Sequence, residues 1–225
     1  MNIGIKDVLQ QIKTFLVPYL ILLCGCLVIK LIYSRDVIYF AVNSLNTAWA
    51  DYIAPYVTDI GNGWTMIILS AILALFNYRN AFLTITTFAI SSISVQVIKR
   101  IVGAPRPGLY FHDQLSRIHF VKGLYIDMHD SFPSGHTVTA FSTAVVLTYL
   151  CKNKNWGILF LLIAVMVGYS RMYLSEHFFE DVIAGSIIGV ITTVFWITWL
   201  ENKKFLHSAK WNRGLLNLIR GGKAE

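Results

Sequence analysis

The sequence predicts an all-α fold: an integral membrane bundle of six transmembrane helices, with an interfacial helix in its N-terminal half. Three observations predict it. Hydrophobic residues make up 56 % and charged residues 14 % of the 225-residue chain, and mean hydropathy is +0.59, whereas a soluble domain carries about 45–50 % apolar and about 25 % charged residues. Six apolar runs come close to the roughly 20 residues that a helix needs to cross lipid. A bilayer interior admits only helices or closed barrels, and barrel strands need only about 9–11 residues, so runs of this length read as helices.

The runs are residues 15–33, 60–76, 81–98, 133–151, 156–173 and 181–200. Lys30 stands near the end of the first, where it can snorkel to the interface. Gly61 and Gly63 weaken the start of the second. The short polar connections at 77–80 and 152–155 read as helical hairpins. Gly185 and Gly189 form a GxxxG pair in the last run, and Ser91, Ser92 and Ser94 fall in the third. Such small and hydroxyl residues let membrane helices approach closely.

Two segments do not read as spans. Ile38, Val42, Leu45, Trp49 and Tyr52 recur at helical spacing with Asn43, Asn46, Thr47 and Asp51 between them. This amphipathic pattern fits a helix lying in the interface plane or a connecting helix packed on the bundle. Residues 101–130, rich in Gly, Pro, His and Asp, read as a long loop, a kind of segment that is usually functional or disordered.

The formal charge of +7 would suggest a nucleic-acid partner in a soluble protein. Here Lys and Arg sit mostly between and after apolar runs, where membrane topology accounts for them. With both termini inside, Lys6, Lys13, Arg79, Lys152, Lys154, Lys203, Lys204, Lys210, Arg213, Arg220 and Lys223 face the cytoplasm. They are eleven of the nineteen basic residues, while nine of the twelve acidic ones fall outside. Cys24, Cys26 and Cys151 have neither metal nor disulfide spacing. The first run reads as a span, not a cleaved signal, because no small-residue cleavage site follows it.

Three stretches put ionisable groups at membrane-helix ends, where such groups are functional candidates. After the third run, Lys99 and Arg106 lie seven apart with prolines around the arginine. A point charge and a bidentate fork suit one phosphate, although basic residues also anchor helices at the interface. Pro133-Ser134-Gly135-His136 opens the fourth run. It offers helix N-terminal amides as an anion site, a hydroxyl, close backbone approach at Gly135 and a proton carrier in His136. Ser170-Arg171 through His177 to Asp181 joins the fifth and sixth runs. His177 and Asp181 share a face if the stretch is helical, so the carboxylate can fix the imidazole tautomer and leave its other nitrogen free as a nucleophile. Arg171 adds a third cation. With six spans and both termini inside, these stretches occupy the four helix ends on the outer face.

The pattern Lys-x6-Arg-Pro, Pro-Ser-Gly-His and Ser-Arg-x5-His-x3-Asp resembles the type 2 phosphatidic acid phosphatase (PAP2) superfamily in its bacterial membrane branch. The motif core covers 99–181 within a single unit over 1–225, followed by a basic cytoplasmic tail, 201–225. The resemblance implies that Lys99, Arg106, Arg171, Ser134 and the Gly135 backbone hold the phosphoryl oxygens. It implies that His177 attacks phosphorus, Asp181 orients it, and His136 protonates the leaving group and then activates water. It further implies metal-independent hydrolysis of a lipid phosphomonoester or diphosphate, such as undecaprenyl diphosphate, phosphatidylglycerol phosphate, phosphatidate or a lipid A phosphate, with no cofactor.

Transfer of the phosphate to an acceptor lipid uses the same site and stands as the alternative. A vanadate-dependent haloperoxidase shares the motifs but is similar to larger soluble proteins, and a non-enzymatic lipid carrier would not require the intact motif set. In the loop 108–130, Arg117 and Lys122 are candidates for a second phosphate, and Tyr110, Phe111, Phe120 and Tyr125 for apolar contact. A solvated connector with interfacial aromatics is the competing reading. The expected partners are the bilayer and a membrane lipid phosphate, with no nucleic acid and no assigned oligomeric state.

Overall fold

The computed structural model describes residues 3–219, and every regular element in them is helical. Arg220, Lys223 and the end of the expected tail 201–225 lie outside the described residues. The helices are α1 (Ile5–Gln11), α2 (Lys13–Ile32), α3 (Arg35–Asn43), α4 (Ala48–Asp59), α5 (Gly63–Phe76), α6 (Tyr78–Val102), α7 (Pro107–Tyr110), α8 (Gly135–Leu150), α9 (Trp156–Tyr173), α10 (Phe179–Glu201) and α11 (Leu215–Ile219). Two 3-10 turns, His112–Arg117 and Lys204–His207, complete the set.

The central helix is α8. Ten of its sixteen residues are buried, and it packs against α6, α9 and α10. Glycines make the last of these contacts possible. A Cβ at Gly185 would lie 2.8 Å from the Ser134 carbonyl oxygen, and one at Gly189 would lie 2.7 Å from that of Val138. The GxxxG pair is thus the seam along which α10 meets α8, and its upper glycine presses on the residue that caps α8. On the periphery, α2 leaves Ile21 at 70 % and Leu31 at 86 % exposure, an apolar face suited to lipid.

Among the described residues, four helices are long and apolar enough to cross a membrane: α2, the helix beginning at Tyr78, α9 and α10. The bent pair α4–α5, at 53°, makes five if counted as one span. At 1.5 Å per residue, the 14 residues of α5 and the 16 of α8 reach about 21 and about 24 Å, short of the roughly 30 Å hydrocarbon core.

The expected single amphipathic helix is two helices. Thr47 accepts a hydrogen bond from the Ala50 amide at 3.4 Å and starts α4 afresh, so the apolar stripe is divided. Ile38 and Tyr39 are buried, whereas Leu45, Trp49 and Tyr52 are exposed. The expected loop 101–130 is also partly helical. α6 continues four residues past its expected end and carries Lys99 in its last turn. α7 and a 3-10 turn follow, with Pro107 at the first position of α7, a place that proline favours. The hairpin at 77–80 is tight: Asn77 ends α5 and caps α6, its side chain accepting from the Asn80 amide at 3.0 Å. Lys30 meets Glu180 at 3.3 Å, so it reaches the α10 end of the bundle.

Candidate active site

At that end the chain gathers the end of α6, the start of α8, the end of α9 and the start of α10. α9 stops in a Schellman turn. The Glu176 amide donates to the Arg171 carbonyl at 3.1 Å and the Ser175 amide to that of Met172 at 3.0 Å. Ser175 takes the left-handed conformation, φ 59°, where glycine is usual. Its hydroxyl accepts from Tyr39 Oη at 2.9 Å and Asn43 Nδ2 at 3.0 Å, so α3 holds the turn in place. The turn delivers Glu176 and His177 into the interior, and His177 is only 1 % exposed.

His177 therefore precedes α10 and does not share a helical face with Asp181. Phe178 is an extended N-cap, and Asp181, in the first turn, reaches back to accept from its amide at 2.8 Å. This brings Asp181 Oδ2 to 3.5 Å from His177 Nδ1. Ser131 stands between them: its hydroxyl donates to Asp181 Oδ2 at 2.6 Å and lies 3.4 Å from His177 Nδ1. With Nδ1 facing the carboxylate, the imidazole proton belongs there and Nε2 keeps its lone pair. Burial first, then the charges of Arg171, Arg106 and Lys99, hold the His177 pKa well below the usual imidazole value. A neutral, oriented imidazole is the form that can act as a nucleophile.

The three cations are each engaged by the chain. Lys99 Nζ donates to the Asp130 carbonyl. Arg106 donates through Nε to the His129 carbonyl at 2.8 Å, through Nη2 to Asp127 at 3.0 Å, and through Nη1 to Glu176. Arg171 is 6 % exposed; its Nη1 donates to Thr58 Oγ1 at 2.8 Å and its Nη2 lies 3.3 Å from Glu176 Oε2. Its buried Nε has no partner. At the start of α8 the Ser134 amide is taken by the Asp181 carbonyl at 3.1 Å, and its hydroxyl accepts from Thr137 at 2.9 Å. The amides of the first α8 turn begin at Gly135, where an added Cβ would meet nothing nearer than Val95 at 3.9 Å. His136 is half-buried in that turn. The turn between α4 and α5 packs on its backbone, since a Cβ at Gly61 would come within 2.8 Å of the His136 carbonyl oxygen.

Lys99, Arg106 and Arg171 thus all act electrostatically on His177, with Asp181 at its side. The two loop candidates do not join them. Arg117 stacks on Phe40 at 4.6 Å and donates to Gln114 at 2.6 Å, and Lys122 is exposed. Phe111 is buried with Tyr39 and Phe178, and Phe120 packs against them, so these aromatics form the loop's own core. Tyr125 remains 86 % exposed.

Ser131, Glu176 and Thr58 escaped the sequence reading. The polar run before Pro133 held the only signal for Ser131. Ser131→Ala removes the donor that ties Asp181 beside His177. We expect kcat to fall by on the order of tenfold, the scale of one charge-assisted hydrogen bond, with KM within about twofold. An unchanged kcat would mean that the Ser131 bond to Asp181 is dispensable for turnover.

This assembly has known counterparts. The family model described as "PAP2 superfamily" matches residues 80–205, and the chain belongs to that superfamily. The bacitracin transport permease protein BcrC of Bacillus licheniformis is 35 % identical over 82 residues, covering 36 % of this chain and 39 % of that protein. An undecaprenyl-diphosphatase of Sulfolobus acidocaldarius is 28 % identical over 166 residues, covering 71 % and 73 %. The crystal structure of a transmembrane PAP2-type phosphatidylglycerolphosphate phosphatase from Bacillus subtilis superposes with a TM-score of 0.62 at 23 % identity, covering 88 % of this chain and 99 % of that one. The latter likeness is one of fold. The chain spans less than half the length of the first curated relatives it matches.

Proposed function

We propose that the chain is a membrane lipid phosphate phosphatase working through a phosphohistidine. The observation that carries this reading is the buried His177, with Asp181 and Ser131 on its Nδ1 side, gathered with Lys99, Arg106 and Arg171 at one end of a membrane bundle. Phosphoryl transfer asks chiefly for positioning and charge stabilisation, and Lys99, Arg106, Arg171 and the first α8 amides are suited to supply both. Nε2 of His177 attacks phosphorus, and the bond to the lipid oxygen breaks as His136, held as imidazolium by the negative charge of the bound phosphate, gives that oxygen its proton and is left neutral. Water then attacks the phosphohistidine, His136 takes its proton, the N–P bond breaks and inorganic phosphate leaves.

A site at helix ends suits a headgroup whose tails stay in lipid, and the undecaprenyl-diphosphatase among the relatives supports an isoprenyl diphosphate as the substrate class. The test is phosphate release by detergent-purified protein, with EDTA, across lipid mono- and diphosphates. Appearance of a phosphorylated acceptor lipid in place of free phosphate would favour a transferase.

The proposed architecture is one unit over 1–225 with six crossings, by α2, α5, α6, α8, α9 and α10. Both termini and the basic tail face the cytoplasm of the cell (inner) membrane, and the site faces outward or into the periplasm. The short α5 and α8 are compatible with this, because α8 is shielded by its neighbours and α4 extends α5. A single cysteine at Tyr125 should react with an impermeant thiol reagent in intact cells and one at Lys152 should not, in a background lacking the native cysteines. The reverse pattern would invert the topology.

A further inference from the structure

The two guanidinium groups of the site, on Arg106 and Arg171, converge on one carboxylate. Glu176 Oε2 accepts from Arg106 Nη1 and lies 3.3 Å from Arg171 Nη2. Its side chain is 14 % exposed, and the Schellman turn pins its backbone directly before His177. Asp127, the other carboxylate on Arg106, is 46 % exposed and pairs with that one arginine, its second oxygen accepting from the Met128 amide at 2.9 Å. Glu176 therefore holds, between two forks, the place that a phosphoryl group bound by Arg106 and Arg171 would take. A carboxylate presents two oxygens and one charge. A terminal phosphate presents three oxygens and about 1.5 to 2 negative charges at neutral pH, whereas a phosphodiester presents two free oxygens and one charge.

We infer that Glu176 is a specificity-determining residue, an internal anion that a terminal phosphate displaces and a phosphodiester does not. The inference rests on the phosphatase reading above. A phosphodiester offers Lys99, Arg106 and Arg171 no more charge than Glu176 already supplies, and it would have to displace a tethered competitor. A terminal phosphate brings the extra charge and a third oxygen, which the free Arg171 Nε and the Gly135 amide can use. A bilayer surface is crowded with phosphodiester headgroups, so the site needs an element that works against them as well as contacts that favour substrate.

The experiment compares wild type, Glu176→Gln and Glu176→Asp in neutral-detergent micelles. The substrate is a lipid monophosphate that the wild type hydrolyses. Phosphatidylglycerol is added as the anionic diester, and phosphatidylcholine at equal mole fraction controls for surface dilution. Glu176→Gln should lower the inhibition constant of phosphatidylglycerol by about tenfold, the equivalent of about 1.4 kcal/mol. Glu176→Asp, which keeps the charge, should stay close to wild type. Equal inhibition of wild type and Glu176→Gln overturns the inference.

A binding arm needs no turnover. The inorganic phosphate concentration needed for a fixed rise in melting temperature should fall about tenfold in Glu176→Gln, the same 1.4 kcal/mol equivalent; equal concentrations overturn the inference here too. Failure of the wild type to release phosphate from any lipid overturns the phosphatase reading instead, and the binding arm still decides the role of Glu176.

Discussion

Replacing His177 with alanine should abolish phosphate release, by on the order of 10³-fold or more, the scale on which a lost nucleophile acts. The residue has no stand-in. The α9–α10 turn sets its ring beside Asp181 and Ser131, and the other histidine of the motifs, His136, lies on α8 with no carboxylate bonded to its ring among the described residues. Turnover by the variant within tenfold of wild type would remove the phosphohistidine route.

A melting curve separates this outcome from misfolding, and its pH dependence carries a sign. Burial holds the folded His177 imidazole well below its usual value of 6.5, so below about pH 6.5 the unfolded chain binds the proton that the folded chain refuses. Stability must then fall as pH falls through that range. His177→Ala removes this contribution, so its melting temperature should drop less than that of wild type between neutral and mildly acidic pH.

Arg171→Lys should lower kcat/KM by on the order of 10²-fold, the loss typical of one preorganised donor to a developing oxyanion. A lysine keeps the charge but not the planar fork. Arg171 uses one arm on Thr58 at 2.8 Å, another on Glu176 at 3.3 Å, and keeps Nε buried and unpartnered, an arrangement that one ammonium cannot reproduce. The lost bond to Thr58 should also cost about 1–3 kcal/mol of stability, as for a buried acceptor left unmatched. Kinetics and melting measured on one preparation decide between the roles. A stability loss with kcat/KM within about threefold of wild type would make Arg171 structural.

The helices were legible because lipid demands them. Residues 13–32, 156–173 and 179–201 are helical within two residues of the expected limits, since apolar run length is a local signal. The amphipathic segment was misjudged because the stripe from Ile38 to Tyr52 keeps helical spacing straight through the Ser44–Thr47 break, and periodicity carries no mark of a second N-cap. The His177–Asp181 spacing was read as one helical face. The contact exists, but it crosses a helix start, because the Phe178 amide draws the Asp181 carboxylate back.

Motif spacing alone named the residues proposed for chemistry here, and the family match to residues 80–205 agrees with the resemblance those motifs carry. Contacts such as Ser131 on Asp181, Thr58 on Arg171 and Gly61 against His136 join residues separated by 50, 113 and 75 positions. No local pattern encodes them. The partner of each cation was equally hidden, since a guanidinium donates to a loop carbonyl, a hydroxyl or a carboxylate according to which comes within about 3 Å. Hydropathy and chemical type are properties of the residues in order, so the sequence by itself determined an all-helical membrane chain of this superfamily. Which groups touch is a property of packed helices and the turns between them, so only the tertiary structure put Glu176 between two arginines and Ser131 beside the nucleophile.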